Sequence, residues 1–158
     1  MALKQRIAAA MEWIRPVGIS VIFFLAYYFG DDPAAVLHIM APFTVMLMAG
    51  TIAFESLILG ETASEKIGYT PSRAYQIQSG LNNLATAMTA AMVFVLDWGK
   101  YADATVLSVY LAFQLFSGIN HGRTIITEKN CFKTNMLRPV LSFVLLAALV
   151  PHIVMALR

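Results

Sequence analysis

The chain has 158 residues, of which 59% are hydrophobic and only 13% are charged, and its mean hydropathy is +0.69. A soluble domain is normally about a quarter charged, so the composition predicts a single-domain integral membrane protein whose main partner is the lipid bilayer. The net charge of +2 is too small to indicate a nucleic-acid partner. The single cysteine, Cys131, excludes an internal disulfide and a paired-cysteine metal site.

Five apolar stretches follow a short N-terminal segment. Residues 1–15 mix four charged side chains with apolar ones, a pattern typical of a helix lying in the membrane interface. The second and third stretches begin with a cap followed by a proline, at Asp32–Pro33 and Thr70–Pro71, and Asp103 is expected to cap the fourth. The second is expected to run on toward Gly68. The predicted spans cover residues 17–29, 34–59, 71–96, 104–120 and 135–157.

The sequence thus predicts an all-α bundle of five transmembrane helices, preceded by a short interfacial helix, in one domain covering residues 1–158. Basic residues are divided unequally between the two sides that five spans define. Lys100 and Arg158 lie on one side. The other side holds Lys4, Arg6, Arg15, Lys66, Arg73, Arg123, Lys129, Lys133 and Arg138. Cytoplasmic loops carry the excess of positive charge, so we expect a multi-pass protein of the cell inner membrane with a cytoplasmic N-terminus and an external C-terminus.

The third predicted span is rich in amides. Between Gln76 and Asn83 the chain contains two glutamines, two asparagines and a serine. At about 100° per residue, most of these fall on the side of the helix opposite Ile77, Leu81 and Leu84. Because amides are costly in lipid, this face is expected to contact protein or a wet cavity.

In the predicted topology, polar residues of the second and fourth spans share the cytoplasmic half of the membrane with these amides. The residues expected to line a polar pocket open to the cytoplasm are Gln76, Gln78, Asn82, Asn83, Gln114, Asn120, His121 and Glu55. Such a pocket would bind or transport a small polar solute or an ion, with His121 or Glu55 carrying a proton. Glu55 has a second interpretation, as an interfacial or structurally paired carboxylate.

The amides also have a structural interpretation, as hydrogen bonds between neighbouring spans worth about 0.6–2 kcal/mol each. In that case the chain is a non-catalytic accessory subunit that docks a membrane-protein partner, or a homo-oligomer. No sequence feature supports a hydrolase, so a role other than that of an enzyme is favoured.

His38 and His152 lie at a similar depth, near the outer ends of two different spans. Two such histidines could ligate haem or a metal ion. No third ligand accompanies them, and a zinc site usually needs three or four. Interfacial histidines facing water are the better interpretation. We therefore predict no metal and no cofactor, and a haem- or metal-binding redox subunit is the weakest alternative.

Several motifs between Phe54 and Leu149 resemble those of a group of small prokaryotic integral membrane proteins of unknown function. The matching stretches are Ile67-Gly68-Tyr69, Tyr75-Gln76-x-Gln78-x-Gly80-x-Asn82-Asn83-Leu84, Asn120-His121 and Asn135-Met136-Leu137-x-Pro139. The family has a glutamate where this chain has Gln78 and an aspartate where it has Asn135. The resemblance implies no activity, but it does imply that Gln76, Asn83 and His121 belong to one site.

Overall fold

The computed structural model describes residues 2–158, with side chains from residue 3 onward. Within that range the chain forms α-helices and no strand. The helices are α1 (Ala2–Phe29), α2 (Pro33–Phe54), α3 (Glu61–Lys66), α4 (Arg73–Val95), α5 (Lys100–Thr127) and α6 (Lys133–Leu157), and a π-helical turn, Glu55–Leu59, extends α2.

Four of the helical stretches are long and apolar enough to cross a membrane: Leu3–Phe29, Pro33–Leu59, Lys100–Thr127 and Lys133–Leu157. The structure therefore confirms an all-α protein with several candidate spans, as the sequence predicts. Helix α4 has 23 residues but is not among the four, because its amide-rich first half lowers its hydropathy. The count of five spans stays a prediction.

Helix α2 is the centre of the bundle and packs on α1, α4, α5 and α6. Leu37, Met40 and Val45 of this helix are completely buried, and so is Ala49, whose small side chain permits close packing of a neighbour. This central position explains why polar side chains near the two ends of α2 meet residues from several other helices.

Two contacts identify the helix segments that lie at each end of the bundle. Arg15 of α1 contacts Glu55 at the end of α2, whereas His38 at the start of α2 contacts Asp103 at the start of α5. We call the two ends of the bundle the Glu55 end and the His38 end.

The N-terminal segment differs from its prediction. Helix α1 is continuous from Ala2 to Phe29, so one helix stands where an interfacial helix and a separate span were predicted. Pro16 lies inside it and removes only one hydrogen-bond donor. Lys66 Nζ donates to the Ala8 carbonyl at 3.1 Å and ties the first half of the helix to the bundle.

Two glycines with positive φ move other helix boundaries. Gly60 (φ +55°) stops the continuation of α2 toward Gly68, and only the short α3 follows it. Gly99 (φ +84°) lets α5 begin at Lys100, so Asp103 lies in the first turn and is buried instead of capping the helix. Helix α6 begins at Lys133, earlier than predicted.

Helix α4 begins later than predicted. It starts at Arg73, so Thr70 is not its cap and Pro71 is not in its first turn. The Arg73 guanidinium donates to the carbonyls of Ser56 and Leu57, both at 3.1 Å. These carbonyls lie where the helical hydrogen-bond pattern ends. Arg73 therefore donates to backbone acceptors that would otherwise lack a hydrogen-bond partner.

Candidate functional site

A group of charged side chains joins three elements at the Glu55 end. Glu55 is buried, and Arg15 Nη2 and Lys66 Nζ lie 2.5 and 3.2 Å from its two carboxylate oxygens. Lys66 Nζ also lies 2.8 Å from a Glu12 carboxylate oxygen, and Arg15 Nε donates to the Thr51 hydroxyl at 2.9 Å. The geometry of Glu55 therefore matches the interpretation as a structurally paired carboxylate.

A second polar group surrounds His121, which is buried in α5. His121 Nδ1 lies 2.6 Å from Asn135 Oδ1 and 3.0 Å from the Tyr69 hydroxyl, and the Tyr69 and His121 rings are stacked. Asn135 Nδ2 donates to the Asn130 carbonyl at 2.9 Å, which fixes Asn135 Oδ1 as an acceptor and places the imidazole proton on Nδ1. The group ties the segment before α4 to both α5 and α6.

Two of the predicted amides are buried, and each hydrogen-bonds to a serine that lies within twelve residues of it in the sequence. Gln76 Nε2 donates to the Ser64 hydroxyl at 2.8 Å, and Asn83 Nδ2 donates to the Ser79 carbonyl of its own helix at 2.9 Å. Gln76 Oε1 is buried without a hydrogen-bond partner among the described residues. Gln76 packs toward α3, and neither amide hydrogen-bonds to His121.

Three further predicted residues lie on the surface. Gln78 and Asn82 are exposed on α4 and Asn120 is exposed on α5, and none of these side chains hydrogen-bonds within residues 3–158. Asn82 lines an open groove of about 650 Å³ between α4 and α5. The structure does not bring these three amides to Glu55 or His121.

A cavity of about 320 Å³ lies between α1, α2, α5 and α6. Gln114 is the only member of the predicted pocket on its wall. The lining residues are Glu12, Arg15, Pro16, Ile19, Met48, Ile52, Gln114, Ser117, Thr134, Leu137, Arg138, Leu141, Ser142, Val144, Leu145 and Ala148. The charged members lie toward the Glu55 end, and Ile19, Val144 and Ala148 lie deeper in the bundle.

Arg138 is the cation of this cavity that lacks a carboxylate partner. It lies in the sixth position of α6 and is partly buried, and its guanidinium forms no ion pair or hydrogen bond with any side chain of residues 3–158. Of the two carboxylates nearby, Glu12 pairs with Lys66, and Glu55 pairs with both Arg15 and Lys66. Three cations therefore share two anions, and the group has an excess of positive charge on the cavity wall.

Sequence reasoning counted Arg15 and Arg138 only as charges that set topology. The available signal was the position of Arg138 between Leu137 and Pro139, at the start of a long uncharged and mostly apolar stretch. A lone cation in such a setting is expensive in a membrane and indicates a function or a specific partner.

His38 and His152 have different partners. His38 Nδ1 lies 3.0 Å from the buried Asp103 carboxylate, whereas His152 Nε2 lies 2.6 Å from the Tyr27 hydroxyl. In the described part of the chain, no three His, Cys, Asp or Glu side chains converge as metal ligands would. The geometry does not assemble the two histidines into one site.

The long apolar helices packed around α2 define a multi-pass helical membrane protein. Residues 13–158 match the family of unknown function DUF6790, and the chain belongs to that family. No curated protein and no solved structure matches the chain. Membership of a family of unknown function is thus confirmed, and the correspondences of individual motifs remain predictions.

Proposed function

We propose that this protein crosses the inner membrane five times, with its N-terminus in the cytoplasm, and binds an anionic amphiphile in the cavity beside Arg138. The headgroup, a carboxylate or phosphate, is bound at the Glu55 end, and the acyl chain lies along the apolar part of the wall. The unpaired guanidinium of Arg138 is the observation that carries this proposal.

The fifth crossing in this proposal is α4. With 23 residues it is about 34 Å long, enough for a hydrocarbon core of about 30 Å. It connects a segment at the Glu55 end to the turn before α5 at the His38 end. Nine of the eleven basic residues then face the cytoplasm, in agreement with the distribution of charge in membrane proteins.

The charge of the cavity favours an anion. Arg138 and Arg15 both line it, and Arg15 shares Glu55 with Lys66. A guanidinium is suited to a carboxylate or phosphate because its donors form a planar fork. An anionic headgroup would supply the negative charge that the protein itself does not place beside Arg138.

The shape of the cavity favours an attached chain over a small ion. Along α6 the wall runs from Thr134 to Ala148, a rise of about 21 Å. Its deeper part is formed by aliphatic side chains such as Ile19, Leu145 and Val144. A free inorganic anion would leave this apolar surface uncovered, whereas an acyl chain would cover it.

Both α1 and α6 pack on α2, and the cavity lies between them. Where these two helices meet at the His38 end, they contact each other through Tyr27 and His152. The charged part of the cavity wall lies toward the opposite end, and in this proposal an amphiphile enters there from the cytoplasmic leaflet. A ligand that is already a component of the membrane needs no aqueous pathway.

The proposal is tested by the binding of three probes to the purified protein, measured by native mass spectrometry. Oleate carries both a charge and a chain, oleyl alcohol carries only the chain, and inorganic phosphate carries only the charge. We expect oleate to bind at least about tenfold more tightly than either of the others. Arg138→Gln should weaken oleate binding about tenfold, because it removes a charge-assisted hydrogen bond.

Arg123→Gln is the matched control, since Arg123 is an exposed cation near the same end of the bundle and does not line the cavity. It should bind oleate as the unchanged protein does. Equal effects of the two substitutions would contradict the site, and tight binding of phosphate alone would contradict the amphiphile.

A further inference from the structure

Three polar side chains lie together on the otherwise apolar part of the cavity wall. They are Gln114 and Ser117 of α5 and Ser142 of α6, and we call them the polar band. We propose that the amphiphile bound beside Arg138 is an acylated glycerol phosphate, whose phosphate contacts Arg138 and whose glycerol and ester groups contact the polar band. This inference rests on the binding of an anionic amphiphile proposed above and names the chemical class of that ligand.

The polar band lies deeper in the bundle than Arg138. Ser142 follows Arg138 by four residues of α6, a rise of about 6 Å. A Cβ atom placed on Gly118 would lie 3.1 Å from Ser142 Oγ, so α5 and α6 are level at this point. Gln114 is one turn closer than Gly118 to the start of α5, which lies at the His38 end. The band therefore begins one turn beyond Arg138 and extends about one further turn along the cavity.

The polar band has hydrogen-bonding groups that the chain itself does not use. Ser117 and Ser142 make no side-chain hydrogen bond within residues 3–158, although Ser142 is buried. Gln114 Nε2 donates to the Tyr110 hydroxyl, and the Gln114 side-chain carbonyl has no partner in the same range. By contrast, the Ser20 hydroxyl donates to a carbonyl of its own helix. Polar groups without partners are costly away from water, so a ligand that hydrogen-bonds to the band is favoured over one that does not.

An amphiphile whose chain begins directly at its headgroup does not match this wall. In a fatty acid or an alkyl phosphate, methylene groups follow the anionic group at once and would lie against the hydroxyls of Ser117 and Ser142. Such a ligand pairs with Arg138 but leaves the polar band without hydrogen-bond partners. The wall therefore favours an amphiphile with a polar linker between its anionic group and its chain.

A glycerol ester supplies a linker of the required size. About six covalent bonds separate the phosphorus of an acylated glycerol phosphate from its ester carbonyl carbon, a distance of about 6–8 Å at ordinary bond lengths. This distance agrees with the rise of about 6 Å from Arg138 to Ser142. The glycerol hydroxyl donates and accepts, and the ester carbonyl accepts, so both suit serine hydroxyls and the Gln114 amide. Beyond the ester, Leu145 and Ala148 provide an aliphatic wall for the acyl chain.

The test compares two phosphate monoesters with chains of the same length, by native mass spectrometry of the purified protein. Monooleoyl glycerol phosphate has the glycerol and ester linker, and oleyl phosphate lacks it. We expect monooleoyl glycerol phosphate to bind about tenfold more tightly, because it gains hydrogen bonds to the polar band. Equal affinities of the two probes would overturn the inference.

Substitutions in the polar band locate the effect. Ser142→Ala should lower the preference for monooleoyl glycerol phosphate over oleyl phosphate about threefold, and Gln114→Leu should lower it similarly. Ser20→Ala is the matched control, because Ser20 lies on α1 and does not line the cavity, and it should leave the preference unchanged. The preference is a ratio of two affinities measured on one variant, so partial loss of folded protein does not alter it. An unchanged preference in both band variants would show that these side chains do not contact the linker and would contradict the inference.

The outcomes separate this inference from the proposal on which it rests. If oleyl phosphate binds and Arg138→Gln weakens its binding, but the glycerol linker adds no affinity, the site for an anionic amphiphile stands and its assignment to an acylated glycerol phosphate is wrong. If neither phosphate binds, both proposals are wrong.

Discussion

At Glu55, a single carboxylate balances cations from two helices. Arg15 and Lys66 approach its two oxygens from α1 and α3, and the side chain is buried at the end of the central helix. A buried pair contributes less than its distances suggest, because desolvation opposes the attraction. Removing Glu55 is costly even so, since it leaves Arg15 without a carboxylate, although Lys66 keeps Glu12.

We therefore expect Glu55→Gln to lower the free energy of unfolding by about 3–5 kcal/mol, measured as a fall in the midpoint of thermal unfolding in detergent. Glu65→Gln is the control, because Glu65 is exposed and forms no ion pair with the described side chains. Equal midpoints for the two variants would show that Glu55 is not a structural pair. The prediction concerns stability and is independent of ligand binding.

At the scale of elements, α4 approaches the π-helical turn through a residue without a side chain. A Cβ atom placed on Gly80 would lie 2.6 Å from Leu57 Cγ and 3.2 Å from Ser56 Cβ. The close approach explains how α4 packs on the end of α2, and it places Gln76, one turn earlier, against Ser64.

Gly80→Ala should accordingly destabilise the bundle by about 1–3 kcal/mol through overpacking. Gly122 is a suitable comparison, because it is also helical but a Cβ there would meet nothing within 4 Å. Gly122→Ala should be neutral or stabilise by about 0.5–1 kcal/mol, since alanine favours a helix. Chemical denaturation of both variants in one detergent measures the difference, and a neutral Gly80→Ala would contradict the close packing.

At the scale of the whole molecule, the number of crossings depends on α4. If α4 spans the membrane, Glu65 and Lys100 lie on opposite sides. The test uses two single-cysteine variants, Glu65→Cys and Lys100→Cys, each in a Cys131→Ser background. A membrane-impermeant maleimide applied to intact cells labels only a cysteine on the outer side of the membrane. We expect only Lys100→Cys to react from outside, because positive charge is retained in the cytoplasm.

The unchanged protein, which keeps its natural Cys131, provides a separate reference for that experiment. Cys131 is exposed in the loop between α5 and α6, at the Glu55 end, and should react only after the membrane is made permeable. Reaction of residues 65 and 100 from the same side would show four crossings instead of five.

For much of the site, the sequence indicates which residue types are present but not which of them lie together. The amide density from Gln76 to Asn83 correctly marks α4 as unusual, yet its members point in several directions. Each residue of a helix rotates the side chain by about 100°, so Gln76 and Asn83 face the bundle whereas Gln78 and Asn82 lie on an exposed side. His121 lies one residue from Asn120, and yet the first is buried and the second exposed.

The sequence by itself determined that the chain is α-helical and belongs in a membrane. Hydropathy is a property of each segment alone, so it needs no knowledge of neighbouring helices. The tertiary structure alone decided that Glu55 is paired, that His121 meets Asn135 and Tyr69, and that Arg138 lines a cavity without pairing with a carboxylate. These outcomes depend on how each helix is rotated about its axis and on which neighbours reach it, and packing across the whole bundle sets both.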